Sequence, residues 1–458
     1  MSLAASQVIG FVVTLGILIV IHEYGHYRVA RACGVKVLRF SVGFGRVLWR
    51  RQATPDSTEF VLSMLPLGGY VKMLDEREGP VAPGELSQAF NRKPLWQRAA
   101  VVAAGPIANL LLAVVFYSAA HWVGVEEPRA VLATPPAGSL AERAGLRAGD
   151  TVSAISRDGN DWDDVQSMND LNWQLTQALL RTEKLQLRVA DSRGHGAHAV
   201  TLDVDTLDTY DVTPETMARI GVAPLSAAVL GKMTPGGAGD RAGLRSGDRV
   251  LAIDGEPVPD ANRMLLMIRA NGADGESVAV PWRVQRGSQV LDLTVRPAVE
   301  MDGGQRVGRI GAGIAASYEM VTVRYGVWGG MTQAVQRTWD SSVLTLKMLG
   351  RMLIGQASIK NLSGPITIAD YAGKSMLLGP AYFLAFIAAV SVSLGVLNLL
   401  PLPILDGGHL MYYLFEAVTG RPLSDVWLER LQRGGVAIML LMMSLALYND
   451  VARQLGLH

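Results

Sequence analysis

Twenty consecutive residues, Ser2 to Ile21, carry no charge, and the run ends in His22-Glu23-Tyr24-Gly25-His26. At about 1.5 Å per residue, a helix from Ser2 to Tyr27 is long enough to cross about 30 Å of hydrocarbon. Residues four apart share a helix face, so His22 and His26 offer two imidazoles to one zinc ion, and Glu23, facing the same cleft, stays free to act as a base. Ionisable side chains are costly in hydrocarbon, which favours a working site; the alternative is a pair of interfacial histidines closing a membrane helix. The segment lacks the basic start of a secretory signal, and cleavage behind its apolar core would strand the histidines, so it is read as a retained span.

The rest of the chain agrees with a membrane protein carrying a soluble portion. Mean hydropathy is positive, +0.23, only 18% of residues are charged and 49 are glycine. A length of 458 residues suggests about three folding units. A net charge of +1 with no domain-scale cluster of Lys and Arg argues against a nucleic-acid partner. Cys33, the single cysteine, excludes an internal disulfide, so the soluble part must be held by its core.

Between Arg28 and Arg98 basic residues outnumber acidic ones about two to one, which makes this loop cytoplasmic and the N-terminus external. His22, Glu23 and His26 then lie near the cytoplasmic face. Within the loop, Val35 to Val47 and Glu59 to Met73 read as short strands, interrupted by Gly43-Phe44-Gly45 and Gly68-Gly69. They form either an ordinary cytoplasmic hairpin or a sheet beside the metal site that offers an edge to an extended peptide. Ala99 to Val125 is the second span, interrupted by Gly105-Pro106, with Asn109 four residues after Gly105 and an interfacial His121 near its end.

From Glu126 to about Val323 the chain becomes charged and turn-rich, and it repeats itself. Ala141 to Asp150 (AERAGLRAGD) returns as Gly239 to Asp248 (GDRAGLRSGD), each copy followed by a short apolar strand and Asp-Gly. This turn resembles that of bacterial PDZ domains, which implies a peptide-binding role for the turns holding Gly145, Leu146, Gly149, Gly243, Leu244 and Gly247. Helix-like stretches follow at Asp163 to Leu180 and Asp260 to Ala270. PDZ domains bind extended chains by adding a strand to an exposed edge, so a tandem pair is either a substrate receptor or a steric screen.

Arg324 to Ile354 has helical spacing with interspersed cations and reads as an amphipathic lateral helix, ended by Asn361-Leu362-Ser363-Gly364-Pro365. Ser375 to Leu405 is uncharged, exceeds one crossing and leads into Asn398-Leu-Leu-Pro401-Leu-Pro403-Ile-Leu-Asp406. The prolines must break this helix, and a carboxylate is tolerated there where it lines a site. A third crossing returns Asp406 to the same side as His22 and His26. Gly434 to Tyr448 is a short fourth span that either extends into Leu428 to Arg433 or sits in thinned bilayer, and the C-terminus ends outside.

Two imidazoles and the Asp406 carboxylate suffice for catalytic zinc with a fourth position open. Asn398 either donates a hydrogen bond to a developing oxyanion or to substrate backbone, or caps the broken helix. His409 is read as a supporting or structural residue, since three ligands are already in hand.

Taken in order, these features resemble the site-2 protease family over nearly the whole chain: His22-Glu23-x-x-His26, two PDZ domains between spans two and three, Asn361-x-x-Ser363-Gly364-Pro365, and Asn398-x-x-Pro401-x-Pro403-x-Leu405-Asp406-Gly407. The resemblance implies an intramembrane endopeptidase of the bacterial inner membrane with one Zn2+ per chain. Its expected substrates are single-pass membrane proteins already shortened outside the membrane, namely an anti-sigma factor in envelope-stress signalling and remnant signal peptides. It also implies that the sheet near Gly43, Phe44 and Gly45 holds substrate as a strand and that Pro401 and Pro403 belong to the substrate-binding region.

The expected fold is a polytopic α-helical membrane protein with four transmembrane helices, a membrane-associated β-sheet and two inserted α+β PDZ domains on the periplasmic side. Its divisions are a membrane body over 1–125, PDZ domains over 126–222 and 223–322, a lateral helix region over 323–374 and a second membrane body over 375–458. The alternative is a membrane-tethered PDZ peptide-binding or quality-control adaptor with an inactive metal site. A closed structural zinc shell would be richer in Cys and would have no use for Glu23. A transporter would need a matching pair of broken helices.

Overall fold

The computed structural model describes residues 2–454, apart from 192–195, 208, 210, 211, 303, 316 and 355–363. It divides into two compact units, Met1–Val125 with Arg324–His458, and Glu126–Val323. The expected motif residues Asn361 and Ser363 lie outside the described residues.

The first unit opens with α1 (Leu3–Ala32), capped by the Ser2 hydroxyl, which accepts from the Ala5 amide. The helix runs beyond Tyr27 and carries both histidines within its length. Two strands follow, β1 (Val37–Arg51) and β2 (Glu59–Met73), paired antiparallel. Both strands fold back on themselves, because Val42 pairs with both Gly69 and Leu62, while Trp49 pairs with Leu62 from the other side. The result is four ladder segments, with 69–73 at one edge and 47–51 at the other. Tyr27 at the end of α1 packs edge-on against Phe40 and Phe60, fixing the sheet to the helix.

Then comes α2 (Leu95–Val123), which contains Pro106. Pro106 has no N–H for the Val102 carbonyl, and its ring loosens the preceding turn.

The second unit shows the repeat as structure. Its first half, with α3 (Leu140–Arg143) after β3 (Val125–Pro128), holds β4 (Thr151–Ser156), β5 (Asp163–Asp164), α4 (Met168–Arg181), β6 (Leu185–Ala190), β7 (His198–Leu202) and α5 (Pro214–Ile220). Its sheet runs β5-β4-β6-β7 over a core that includes Leu171, Leu175, Leu179 and Leu187. The helix begins at Met168 and not at Asp163: Ser167 caps it, while Asp163 and Asp164 pair with β4.

The second half contains β8 (Leu230–Met233), α6 (Ala238–Arg241), β9 (Arg249–Ile253), β10 (Glu256–Pro257), α7 (Ala261–Ala270), β11 (Val280–Arg286) and β12 (Gln289–Val295). The order β10-β9-β11-β12 matches the first sheet, and Asp260 caps α7 through its side chain. Four further short strands complete the unit: β13 (Ala298–Asp302), β14 (Gln305–Arg309), β15 (Ala312–Ile314) and β16 (Met320–Val323).

The chain then returns to the first unit with α8 (Val327–Leu353), whose Ala334 packs into a cluster with Ala113 and Tyr117 of α2. Next are α9 (Pro365–Leu378), α10 (Pro380–Asn398), α11 (Asp406–Thr419) and α12 (Asp425–Gln454). The long uncharged run is therefore broken twice, not once. Gly379, at φ +124°, turns the chain, and Pro380 opens α10 at a position where its missing N–H costs nothing. The last helix includes 428–433, so it needs no thinned bilayer. Asp450 on α12, 1% exposed, accepts from the amides of Gly364, Ile366 and Thr367 and so caps α9.

Among the described residues, four helices are long and apolar enough to cross a membrane: Leu3–Ala32, Leu95–Val123, Pro380–Asn398 and Val426–Ala452. The chain is a polytopic membrane protein.

Candidate metal centre and active site

His22 and His26 lie one turn apart on α1, and Asp406 is the first residue of α11. The loop that delivers Asp406 is folded tightly against the first turn of α11. A Cβ on Gly407 would stand 2.2 Å from the Leu400 carbonyl oxygen, and one on Gly408 would stand 2.3 Å from that of Leu402. Only glycine fits at either position, which gives the Leu-Asp-Gly-Gly sequence its physical reason.

Three ligand atoms converge. The Nε2 atoms of His22 and His26 are 3.2 Å apart, and Asp406 Oδ2 is 3.2 Å from the first and 3.6 Å from the second. Donors at about 2.05 Å from a tetrahedral zinc stand about 3.3 Å apart, so this triangle has the edges such a site requires. Among the described residues it is the one His/Cys/Asp/Glu group compact enough to hold a metal ion.

The supporting contacts come from α2. His26 Nδ1 donates to the Val101 carbonyl at 2.8 Å. A carbonyl can only accept, so Nδ1 carries the hydrogen and Nε2 keeps its lone pair for a metal. A Cβ on Gly105 would come within 2.3 Å of His26 Nε2, and one on Gly25 within 2.4 Å of the Ala104 carbonyl oxygen. These two glycines let α1 and α2 close together without filling the metal position.

Glu23 is 9% exposed, and its carboxylate has no hydrogen-bond partner among the described residues. A Cβ on Gly69 of β2 would meet Glu23 Cγ at 2.7 Å. The sheet therefore touches the Glu23 side chain directly, at the start of the segment 69–73, which among the described residues pairs with β1 on one side only.

The remaining expected residues fall as follows. Gly43 and Gly45 adopt φ of +88° and +84° around Phe44, whose ring stacks on Tyr70. A Cβ on Gly43 would sit 2.8 Å from the Leu65 carbonyl oxygen, so this motif shapes the bend of the sheet. Asn398 ends α10 half-buried, and its side chain caps nothing among the described residues. Pro401 is exposed, whereas Pro403 packs beside Gly435 of α12 and Gly408. His409 packs edge-on against Tyr412 and is not part of the ligand triangle.

In the second unit, Gly145, Gly149, Gly243 and Gly247 all have φ between +83° and +90°. Leu146 and Leu244 are buried in the cores of their own halves. Their side chains hold the turns from inside. Val101 and Asn109 were not among the expected site residues. Val101 acts through its backbone, which leaves no signal in side-chain type, whereas an Asn four residues after a Gly-Pro break in an apolar span is such a signal.

The model of peptidase family M50 matches residues 10–442. The chain belongs to this family. A Ralstonia nicotianae protein carrying a zinc-metalloprotease name is 43% identical to it, covering 98% of this chain and 99% of its own. The regulator of sigma-E protease RseP of Escherichia coli is 37% identical, covering 97% of this chain and 98% of its own. Protease RseP of Yersinia pestis is 38% identical over the same shares. The chain is a membrane zinc metalloprotease of the site-2 type, and zinc is its cofactor.

Proposed function

We propose that the chain is an intramembrane endopeptidase that cuts the transmembrane segments of single-pass membrane proteins. In this reading His22, His26 and Asp406 hold one zinc ion and Glu23 is the general base. The observation that carries it is the ligand triangle with a carboxylate beside it that has no hydrogen-bond partner, next to a sheet edge that no strand covers, among the described residues. When bound, zinc supplies a Lewis acid and makes a water nucleophilic near neutral pH.

Glu23, with no competing hydrogen bond, takes the proton of the attacking water and delivers it to the leaving amine. A transmembrane helix hides its amides in its own hydrogen bonds, so cleavage needs a local unwinding and an acceptor for the freed strand. The edge at Gly69–Met73 supplies that acceptor by strand addition, with Gly43, Phe44 and Gly45 bending the sheet that carries it. Asn398, uncommitted at the end of α10, donates to the developing oxyanion or the substrate main chain. Pro401 and Pro403 stiffen the loop that brings Asp406 to the substrate.

The inserted segment is read as two PDZ domains, over 126–222 and 223–322, on the periplasmic side of the inner membrane. The matching strand orders of the two sheets and the repeated Gly-Leu turns support this. The basic excess between Arg28 and Arg98 supports a cytoplasmic loop, hence periplasmic termini and an active site near the cytoplasmic face. The lateral helix region spans 323–374 and the second membrane body 375–458. The name of the Escherichia coli relative supports an anti-sigma factor in envelope-stress signalling as a client, with remnant signal peptides as a second class.

The test is to incubate the purified protein in detergent with a tagged single-span substrate and map the product termini by mass spectrometry. New termini within the transmembrane segment are expected. Termini confined to the soluble flanks would overturn the intramembrane reading.

A further inference from the structure

Val101, Gly105 and Asn109 are spaced by four, and together they form the face of α2 turned toward His22 and His26. Val101 serves His26 through its carbonyl, and Gly105 leaves room. Asn109 is a fully buried amide in a membrane-spanning helix. Its Nδ2 stands 3.3 Å from His22 Nδ1, while its Oδ1 is buried without a hydrogen-bond partner.

That orientation sets donor against donor, because an imidazole that ligates through Nε2 carries its hydrogen on Nδ1. A half-turn of the amide exchanges its oxygen and nitrogen, which are alike in shape. The orphaned oxygen then accepts from His22 Nδ1–H, and the opposition of two donors at the ligand is removed. The backbone at this point is itself held, since Ser391 Oγ donates to the Asn109 carbonyl at 2.7 Å and ties α10 to α2.

We infer that Asn109 is a positioning residue of the metal centre, accepting a hydrogen bond from His22 and fixing the tautomer and rotation that present Nε2 to zinc. The inference rests on the ligand set proposed above. The two histidines are thus held differently: no side-chain substitution removes the carbonyl behind His26, whereas His22 depends on one amide.

The experiment is chelator competition for zinc on the purified full-length protein, comparing wild type with Asn109→Ala, Asn109→Asp and His22→Ala. Loss of stoichiometric zinc in His22→Ala upholds the ligand set; retention there overturns both readings together. With that control in hand, Asn109→Ala is expected to weaken zinc binding by about ten- to a hundredfold. Asn109→Asp, which offers only acceptors, is expected to bind zinc within about threefold of wild type. A merely structural asparagine would not be rescued by a carboxylate at this depth. Wild-type affinity in Asn109→Ala, or a loss of tenfold or more in Asn109→Asp, would overturn the inference. If Asn109→Ala does not fold, the Asn109→Asp affinity decides alone.

Discussion

Gly69 of β2 lies so close to Glu23 of α1 that a single added carbon would stand 2.7 Å from Glu23 Cγ and 2.8 Å from the Ser41 carbonyl oxygen. The contact joins the candidate base to the candidate substrate strand, with no side chain between them. Gly69→Val should therefore push the edge off the base. Cleavage of a single-span substrate is expected to fall by at least about tenfold with zinc content unchanged, since about 1 Å of misplacement costs up to a hundredfold. Wild-type turnover in Gly69→Val would show that the contact has no part in positioning.

Gly105 makes the same argument on the other side of the site. Its missing side chain leaves His26 Nε2 clear by a margin that a methyl group would erase. Gly105→Ala should lower zinc occupancy, measured by atomic absorption after exhaustive dialysis. Full occupancy would mean that α2 can withdraw at little cost.

The Asn398 side chain makes no hydrogen bond among the described residues, although it ends a helix in an apolar setting. If it serves a developing oxyanion, Asn398→Ala should cut kcat by about a hundredfold while zinc affinity and thermal stability stay level. A drop in stability without a kinetic effect would restore the capping alternative.

A fourth prediction concerns the second unit. Asp248 is fully buried, and Arg286 donates to both its oxygens at 2.7 Å. Burial alone would raise its pKa, but Arg286 and the Arg245 amide outweigh that and hold the carboxyl below its ordinary range. A depressed pKa in the folded state gives stability that is full above the unfolded value of about 4 and is lost as pH falls through the folded one. Asp248→Asn should therefore lower Tm at pH 7 and show a smaller deficit at pH 4. Arg286→Ala, which strands the buried charge, should cost about 3 kcal/mol at pH 7. A deficit independent of pH would contradict the assignment.

Much of this architecture was legible in the residues, for identifiable reasons. The Ser2 to Ile21 run admits one structure in hydrocarbon, and the repeated Gly-Leu turn marks two equivalent halves because each needs glycine at positive φ. The Glu59–Met73 strand was bounded correctly by its apolar content. The folding back of Val37–Arg51 was not, since it depends on bends at Gly43 and Gly45 whose neighbours, Ser63 and Leu65, lie across the sheet. The break at Gly379-Pro380 was missed because uncharged residues on both sides made two helices look like one. His22, His26 and Asp406 announced themselves by type, but the groups behind the imidazoles did not. One is a main-chain carbonyl, which side-chain type cannot reveal, and the other is Asn109, an amide whose place after Gly105-Pro106 was legible but whose approach to His22 needs α2 laid against α1.

The most direct test of the account uses two samples of purified protein in detergent, wild type and Glu23→Gln, assayed together for zinc content and for cleavage of a single-span substrate. About one zinc in each is expected, with cleavage by Glu23→Gln reduced by about 10²–10⁴-fold. Undiminished cleavage by a zinc-loaded Glu23→Gln would remove Glu23 from the chemistry and contradict the mechanism.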